Sequence, residues 1–339
     1  MTKENNQETD MDKRIFHGDN QQRSDRLKVL PEPPPWREFK DKQIREERGK
    51  KYQSSNKEIE VVNAAFYLRR PLLITGKPGA GKSSLAYAVA YELDLGDVLV
   101  WPITSKSTLQ QGLYQYDALA RLQDASLLKS QPEGDDSKIE IPDIGSYIRL
   151  GPLGTAFLTS KQQKPRVLLI DEIDKSDIDL PNDLLNLFEE GEFEIPELSR
   201  LPEKEEYQFV EVVPCDSKQK IKIERGRVRC EAFPLVMMTS NAERDFPPAF
   251  LRRCLRLHIE PPSEEKLHKI VKERLAPGSK YEQQVNNLLK EFIEKRDTKQ
   301  KEIATDQLLN AVYLVMQYID LDKDQLREII FQTLSDTRL

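Results

Sequence analysis

The sequence predicts an α/β fold, a parallel sheet between helices, followed by a small all-helical domain. Two observations carry the expectation. Up to about residue 260, apolar runs that read as strands alternate with segments of helical period; three runs, PLLITG, RVLLID and FPLVMMTS, are continuously apolar, as strands buried on both faces are. After Pro261 and Pro262 the alternation stops, and four segments in succession carry apolar residues at three- and four-residue spacing. The 339 residues suffice for both blocks and a tail.

Taken in order, residues 1–55 are rich in Asn, Gln, Lys, Glu and Arg, and form a polar extension expected to be disordered. Inside it VLPEPPPWREF is a proline-rich strap; it reads either as a linker or as a segment that docks through Trp36 and Phe39. The α/β block, 56–261, opens on a helix whose Ile59, Val62 and Phe66 share a face and which ends at Arg69 and Arg70. Strand PLLITG and helix SSLAYAVAYEL follow, then strand DVLVWPIT, helical LYQYDALARLQDASLL and an acidic loop, QPEGDDSK. RVLLID is the next strand and LPNDLLNLFEEG the next helix. YQFVEVV and QKIKIER alternate like a hairpin inserted near 199–230, before FPLVMMTS, and CLRLHI closes the block. In the helical block, 262–339, SEEKLHKIVKERL, YEQQVNNLLKEFIEK, TDQLLNAVYLVMQYI and KDQLREIIFQTL are the helices, with Ser263 and Thr305 as N-caps.

Composition excludes several classes. Lys and Arg number 52 against 58 Asp and Glu, a net charge of −6, so nucleic-acid binding is not indicated except through a local basic groove. Mean hydropathy is −0.65, no apolar run reaches membrane-span length, and the N-terminus lacks the apolar core of a signal peptide, so a cytoplasmic protein is expected. Three scattered cysteines form no disulfide framework or zinc site, and Cys254 reads as a small buried hydrophobe. His17, His258 and His268 have no metal-ligand spacing.

The informative motif is GKPGAGKS. Gly76, Lys77, Pro78, Gly79, Ala80, Gly81, Lys82 and Ser83 match G-x-x-x-x-G-K-[ST], between an expected strand and an expected helix. Glycines let the backbone curl until several N–H groups, with those of the helix start at Ser83 and Ser84, point at phosphate oxygens. Lys82 is expected to reach the β- and γ-phosphates, and the Ser83 hydroxyl to ligate Mg²⁺. A partner acidic pair ends the strand of RVLLIDEID: Asp171 to hold magnesium, Glu172 to orient and deprotonate the attacking water. Asn241, ending FPLVMMTSN, is a candidate to hold that water near the γ-phosphate, or else a loop cap.

The order of these elements, ending in PPAFLRRC and a helical domain, resembles the AAA+ ATPases. GPLGTAFL, LLIDEIDKSDIDLPNDLLNLFEEGEFEIPEL and TSNAERDFPPAFLRRCLRLHIEPP resemble the MoxR-like branch, over residues of about 57 to 335. The resemblance implies a P-loop core with a helical lid, ATP as the nucleotide and a hexameric ring. It also implies a chaperone-like remodelling activity, often beside a von Willebrand factor A partner protein. It places a trans-acting arginine finger at Arg252 or Arg253, with Arg253 preferred. The chain departs from the family at the third lid helix, where EIATDQLLNA lacks the usual sensor-2 arginine; Lys301 or Arg296 is the candidate substitute. The competing expectations are an ATP-operated assembly switch with slow hydrolysis, and a DNA-processing motor that uses the basic KIKIERGRVR segment.

Overall fold

The computed structural model describes residues 30–37, 49–129, 143–298 and 303–317, with Asn20, Leu27, Lys28 and Glu47 besides. Phe39, the acidic loop 131–138, Lys301 and the last expected helix lie outside the described residues, as do His17 and most of the polar extension. The chain divides into two compact units: 45–77 with 81–260, and 1–44 with 78–80 and 261–339.

The first unit is built on five parallel strands in the order β11–β1–β10–β5–β2. They are β1 (Leu72–Thr75), β2 (Leu99–Pro102), β5 (Val167–Asp171), β10 (Leu235–Ser240) and β11 (Leu255–His258). All six residues of β10 are buried, as a strand with neighbours on both edges and helices on both faces requires. Leu72 pairs with Met237, and Val167 with Leu235, so the C-terminal ends of β1, β10 and β5 lie side by side. Parallel strands need crossovers, supplied by helices such as Lys82–Glu92, Pro152–Thr159 and Leu180–Glu190. Gly191, left-handed at φ 65°, ends the last of these.

Several local expectations are corrected. In the helix Asn56–Leu68 the buried face is Glu58, Val62 and Ala65, whereas Ile59 is exposed. Glu58 is drawn inward because its carboxylate closes a capping box with Ser55 and accepts the Tyr52 hydroxyl at 3.1 Å. LYQYDALARL is not one helix: β3 (Tyr114–Tyr116) pairs antiparallel with β4 (Ile148–Leu150), and a helix, Ala118–Lys129, starts only after Asp117. The Asp117 carboxylate accepts the Ala120 N–H at 2.8 Å, which supplies the start signal.

The insertion holds more than one hairpin. β6 (Glu192–Glu194), β7 (Phe209–Val212), β8 (Ile221–Glu224) and β9 (Arg227–Arg229) form an antiparallel sheet in the order β6–β9–β8–β7. β8 and β9 are joined by Arg225 and Gly226, both at positive φ (48° and 72°), the conformation that a two-residue hairpin loop favours.

In the second unit the helices Glu264–Leu275, Glu282–Ile293 and Thr305–Met316 bury Leu267, Val271, Leu289, Phe292, Leu308 and Val312 against one another. Ser263 caps the first, accepting the Lys266 N–H. The N-cap of the third is Ala304 rather than Thr305; its N–H donates to the Gln307 side chain at 2.8 Å, so the glutamine supplies the reciprocal bond that an alanine cannot. The proline-rich strap docks here. Trp36 packs on the helical core, its ring edge-on to Tyr313, its indole N–H donating to Asn310 at 3.1 Å; the Tyr313 hydroxyl donates to the Glu32 carbonyl.

Candidate functional site

β1 runs into the loop Gly76–Gly81, which turns into the helix Lys82–Glu92. Gly79 and Gly81 have φ of +73° and +94°, angles that a Cβ disfavours, so the curl that aims N–H groups inward depends on these two glycines. A side chain at Gly81 would also meet the Tyr52 ring at 3.2 Å.

Lys82 is only 8% exposed. Its ammonium donates to the carbonyls of Gly76 (2.7 Å) and Lys77 (3.0 Å) and to Asn241 Oδ1 (2.7 Å), using its three N–H groups. Burial pulls its pKa below the usual lysine value; the carboxylates of Asp174, Asp171, Glu172 and Glu243 oppose this and favour the charged form.

Asp171 ends β5. Its Oδ1 accepts the Ser83 hydroxyl at 2.7 Å and the Thr239 hydroxyl at 2.5 Å. Thr239, buried on β10, accepts the Glu172 N–H at 2.9 Å in turn, so one hydroxyl ties both acidic residues to the neighbouring strand. Two adjacent hard oxygens, from Ser83 and Asp171, suit magnesium, which keeps several waters and takes few protein ligands. Among the described residues there is no group of three or more His, Cys, Asp or Glu that could hold a metal ion.

Glu172 has a left-handed backbone, φ 61° and ψ 49°, a conformation that costs a non-glycine residue about 1–3 kcal/mol. It turns the chain sharply away from β5. The carboxylate, about half exposed, pairs with Lys175 at 2.7 Å, and this bond raises the Lys175 pKa. Asn241 ends β10. Its backbone N–H donates to Asp174 Oδ2 at 2.9 Å, and its side-chain amide donates to Glu243 at 3.3 Å while accepting from Lys82. Lys82, Ser83, Asp171 and Asn241 are therefore joined at the ends of β1, β5 and β10, with Glu172 next in chain to Asp171.

Arg252 and Arg253 do not join this group. They end the helix Pro248–Arg253, both exposed, and Arg253 donates to the Glu189 carboxylate. The Arg70 guanidinium donates to the carbonyls of Arg252 and Arg253, the latter at 3.1 Å, and so caps that helix from the end of another. Next to them Cys254 is buried, and burial pushes its thiol up to about 12, out of reach of thiolate chemistry near neutrality. Arg296 is engaged within the helical unit, donating to the Pro262 carbonyl at 2.7 Å and to Asp297.

Sequence reasoning missed Thr239, Asp174, Lys175 and Arg70. Only Asp174 had a signal, as the third carboxylate of DEID; the other three matter through partners remote in sequence or through the turn at Glu172.

Comparison with known proteins bears on the whole arrangement. The family model of the AAA domain (dynein-related subfamily) matches residues 71–254, more than half of the chain. No curated protein matches. Among solved structures, NtrX from Brucella abortus in complex with ATP is 12% identical, with a TM-score of 0.36, covering 81% of this chain and 54% of that one. A second NtrX structure from the same organism is 14% identical at the same TM-score, covering 81% and 53%. The chain thus spans about half the length of those proteins, and so loose a likeness carries no conclusion about activity.

Proposed function

The chain belongs to the AAA domain family, dynein-related subfamily, and from that premise we propose that it is a Mg²⁺- and ATP-dependent ATPase of the MoxR-like type. On this reading it hydrolyses ATP at the interfaces of a ring of its own copies, hexameric by resemblance, and uses the cycle to remodel or activate a protein partner. A von Willebrand factor A protein is the partner class the resemblance suggests. One observation supports the reading above others: the hydrogen-bonded pairs Lys82–Asn241 and Ser83–Asp171, adjacent through the Lys82–Ser83 peptide, stand at the ends of three adjacent strands.

The roles follow from the chemistry of each group. The backbone N–H groups of the loop and the Lys82 ammonium bind the phosphate oxygens, Lys82 exchanging a carbonyl or the Asn241 oxygen for them. Ser83 and Asp171 hold magnesium, which neutralises phosphate charge. Glu172 takes the proton of a water attacking the γ-phosphorus, and Asn241 fixes that water's position. Release of Glu172 from Lys175 frees the base; the exposed pair is worth about 0–1 kcal/mol, a small barrier to that exchange. Arg253, presented to a neighbouring copy, stabilises the charge of the transferring phosphoryl, an effect worth ~10³–10⁵ in turnover, or about 4–7 kcal/mol.

An assembly switch with slow hydrolysis is the second reading. It is favoured by the intramolecular partners of the two groups hydrolysis needs, Lys175 on Glu172 and Glu189 on Arg253, and by the engagement of Arg296 with Pro262. A DNA motor is less well supported: Arg227 and Arg229 of β9 stand opposite Glu194 and Glu192 of β6, which offsets the basic charge of the insertion. Among the described residues no helix is long and apolar enough to cross a membrane.

The deciding experiment is native mass measurement with and without ATP, paired with turnover. ATP-induced assembly with many turnovers per ring supports remodelling, one slow turnover supports the switch, and neither assembly nor hydrolysis removes both.

A further inference from the structure

We infer that Asp174 is a positioning residue: its carboxylate seats Asn241 by accepting two backbone N–H bonds, and thereby sets the Asn241 side chain on Lys82. The inference rests on the proposed nucleotide role of Asn241. Asp174 lies in the turn Ile173–Lys175 after β5 and is 5% exposed. Its Oδ2 accepts the N–H of Asn241 at 2.9 Å and that of Glu243 at 3.2 Å. Between those donors Ala242 is left-handed, φ 60°, which folds the loop so that both N–H groups converge on one oxygen. A non-glycine residue holds that conformation only where its surroundings impose it, and two charge-assisted bonds to one carboxylate do so.

A second tie acts on the same loop. Arg244 donates to Ser176 Oγ and to the Asp177 carbonyl, each at 3.0 Å. With Thr239 of β10 bridging Asp171 and the Glu172 N–H as well, the segment after β5 is tied both to β10 and to the loop that carries Asn241. Asp174 Oδ1 is buried with no hydrogen-bond partner, a cost tolerable for a carboxylate that also supports the charge of Lys82.

The test is a cycle of Asp174→Ala, Asn241→Ala and the double variant in the full chain, with Asp174→Asn as the conservative control. Two readouts are taken: kcat with KM, and the ratio of affinities for ADP and a non-hydrolysable ATP analogue. Asp174→Ala is expected to lower kcat about tenfold with KM within about threefold, and to flatten the affinity ratio as Asn241→Ala does. The double variant should be no worse than Asn241→Ala, since the two act as a unit. Asp174→Asn, which keeps an oxygen for both N–H groups, should recover most of kcat. Additive losses, or an asparagine variant as poor as the alanine one, would overturn the inference. If Asp174→Ala does not fold, Arg244→Ala replaces it in the cycle, with the same outcomes. If the wild type hydrolyses nothing, the hydrolytic reading fails, and the affinity ratio still decides whether Asp174 seats Asn241.

Discussion

The Lys82 ammonium and the Asn241 amide oxygen meet at 2.7 Å across 159 positions of sequence. The contact joins the helix that follows β1 to the end of β10, the strand lying between β1 and β5. The pair thus ties the start of the helix after the loop Gly76–Gly81 to the end of β10, where the Asn241 N–H is in turn held by Asp174 of the acidic turn.

Lys82→Ala removes the charge and all three of its donors. Nucleotide affinity measured by fluorescent-nucleotide titration should fall at least about tenfold, and the rise in melting temperature on adding nucleotide should vanish. Melting without nucleotide should change little, because the variant also removes a buried charge. Unchanged affinity would show that the loop binds phosphate without it.

Lys82 also sets a pH dependence. Its pKa is depressed by burial, so in the free protein the ammonium loses its proton at a pH below the ~10.4 of an exposed lysine. Nucleotide affinity should therefore decline on the alkaline side before that value. For stability the sign is opposite: below the depressed pKa the buried charge is a constant cost, and as pH rises from there towards ~10.4 stability recovers. Affinity that stays flat until the pH at which an exposed lysine loses its proton would contradict the assignment.

Glu172→Gln should bind ATP like the wild type and lower steady-state hydrolysis by about 10²–10⁴. Lost pairing with Lys175 should leave stability within about 1 kcal/mol, since both groups are solvent-accessible. Normal turnover in this variant would move the base elsewhere.

Mixing separates an arginine acting in trans from one acting within its own subunit. Arg253→Ala and Glu172→Gln should each be inactive alone. Mixed in equal amounts and allowed to exchange, they leave about a quarter of interfaces with both groups intact if the arginine comes from the neighbour. Activity in the mixture is the expected result. An inactive mixture of exchanging subunits would place the arginine in cis or outside the reaction.

Arg70→Ala should destabilise the protein by about 1 kcal/mol, because two carbonyls at the end of the helix Pro248–Arg253 lose their donor. Hydrolysis in the assembled state should fall while nucleotide affinity holds, since Arg70 orients Arg253 and does not touch the phosphate loop. Equal loss of affinity would show the effect to be general unfolding.

How far the sequence could be read depended on where each residue's partners lie. The five core strands and the phosphate loop are legible because their evidence is local: continuous apolar runs in three strands, shorter apolar or alternating runs in DVLVWPIT and CLRLHI, and glycines at fixed offsets before Lys82 and Ser83. Periodicity reads Tyr114–Tyr116 as helical because its strand partner, Ile148–Leu150, is remote in sequence, while its own sequence carries helix formers on one side. Periodicity places Ile59 inside because it weighs hydrophobicity alone, whereas Glu58 has two hydrogen-bond partners that recover its burial. Thr239 and Arg70 were invisible for a further reason. A threonine in a strand and an arginine at a helix end are ordinary in isolation, and only the register of β10 beside β5, or the end of one helix against another, gives them work.

The position of β10 also sets an order of events when the chain is made. β1 and β5 are never neighbours; each needs β10 between them, and Leu72 must wait for Met237 to emerge. At about 5–20 residues per second, translation leaves β1 without that partner for on the order of ten seconds. Throughout that interval β1, joined by β5 once Val167–Asp171 is made, exposes an unpaired edge, and Lys82 has no Asn241. The nucleotide site therefore closes late and all at once, and a nascent chain released before residue 235 carries its most aggregation-prone strands uncovered.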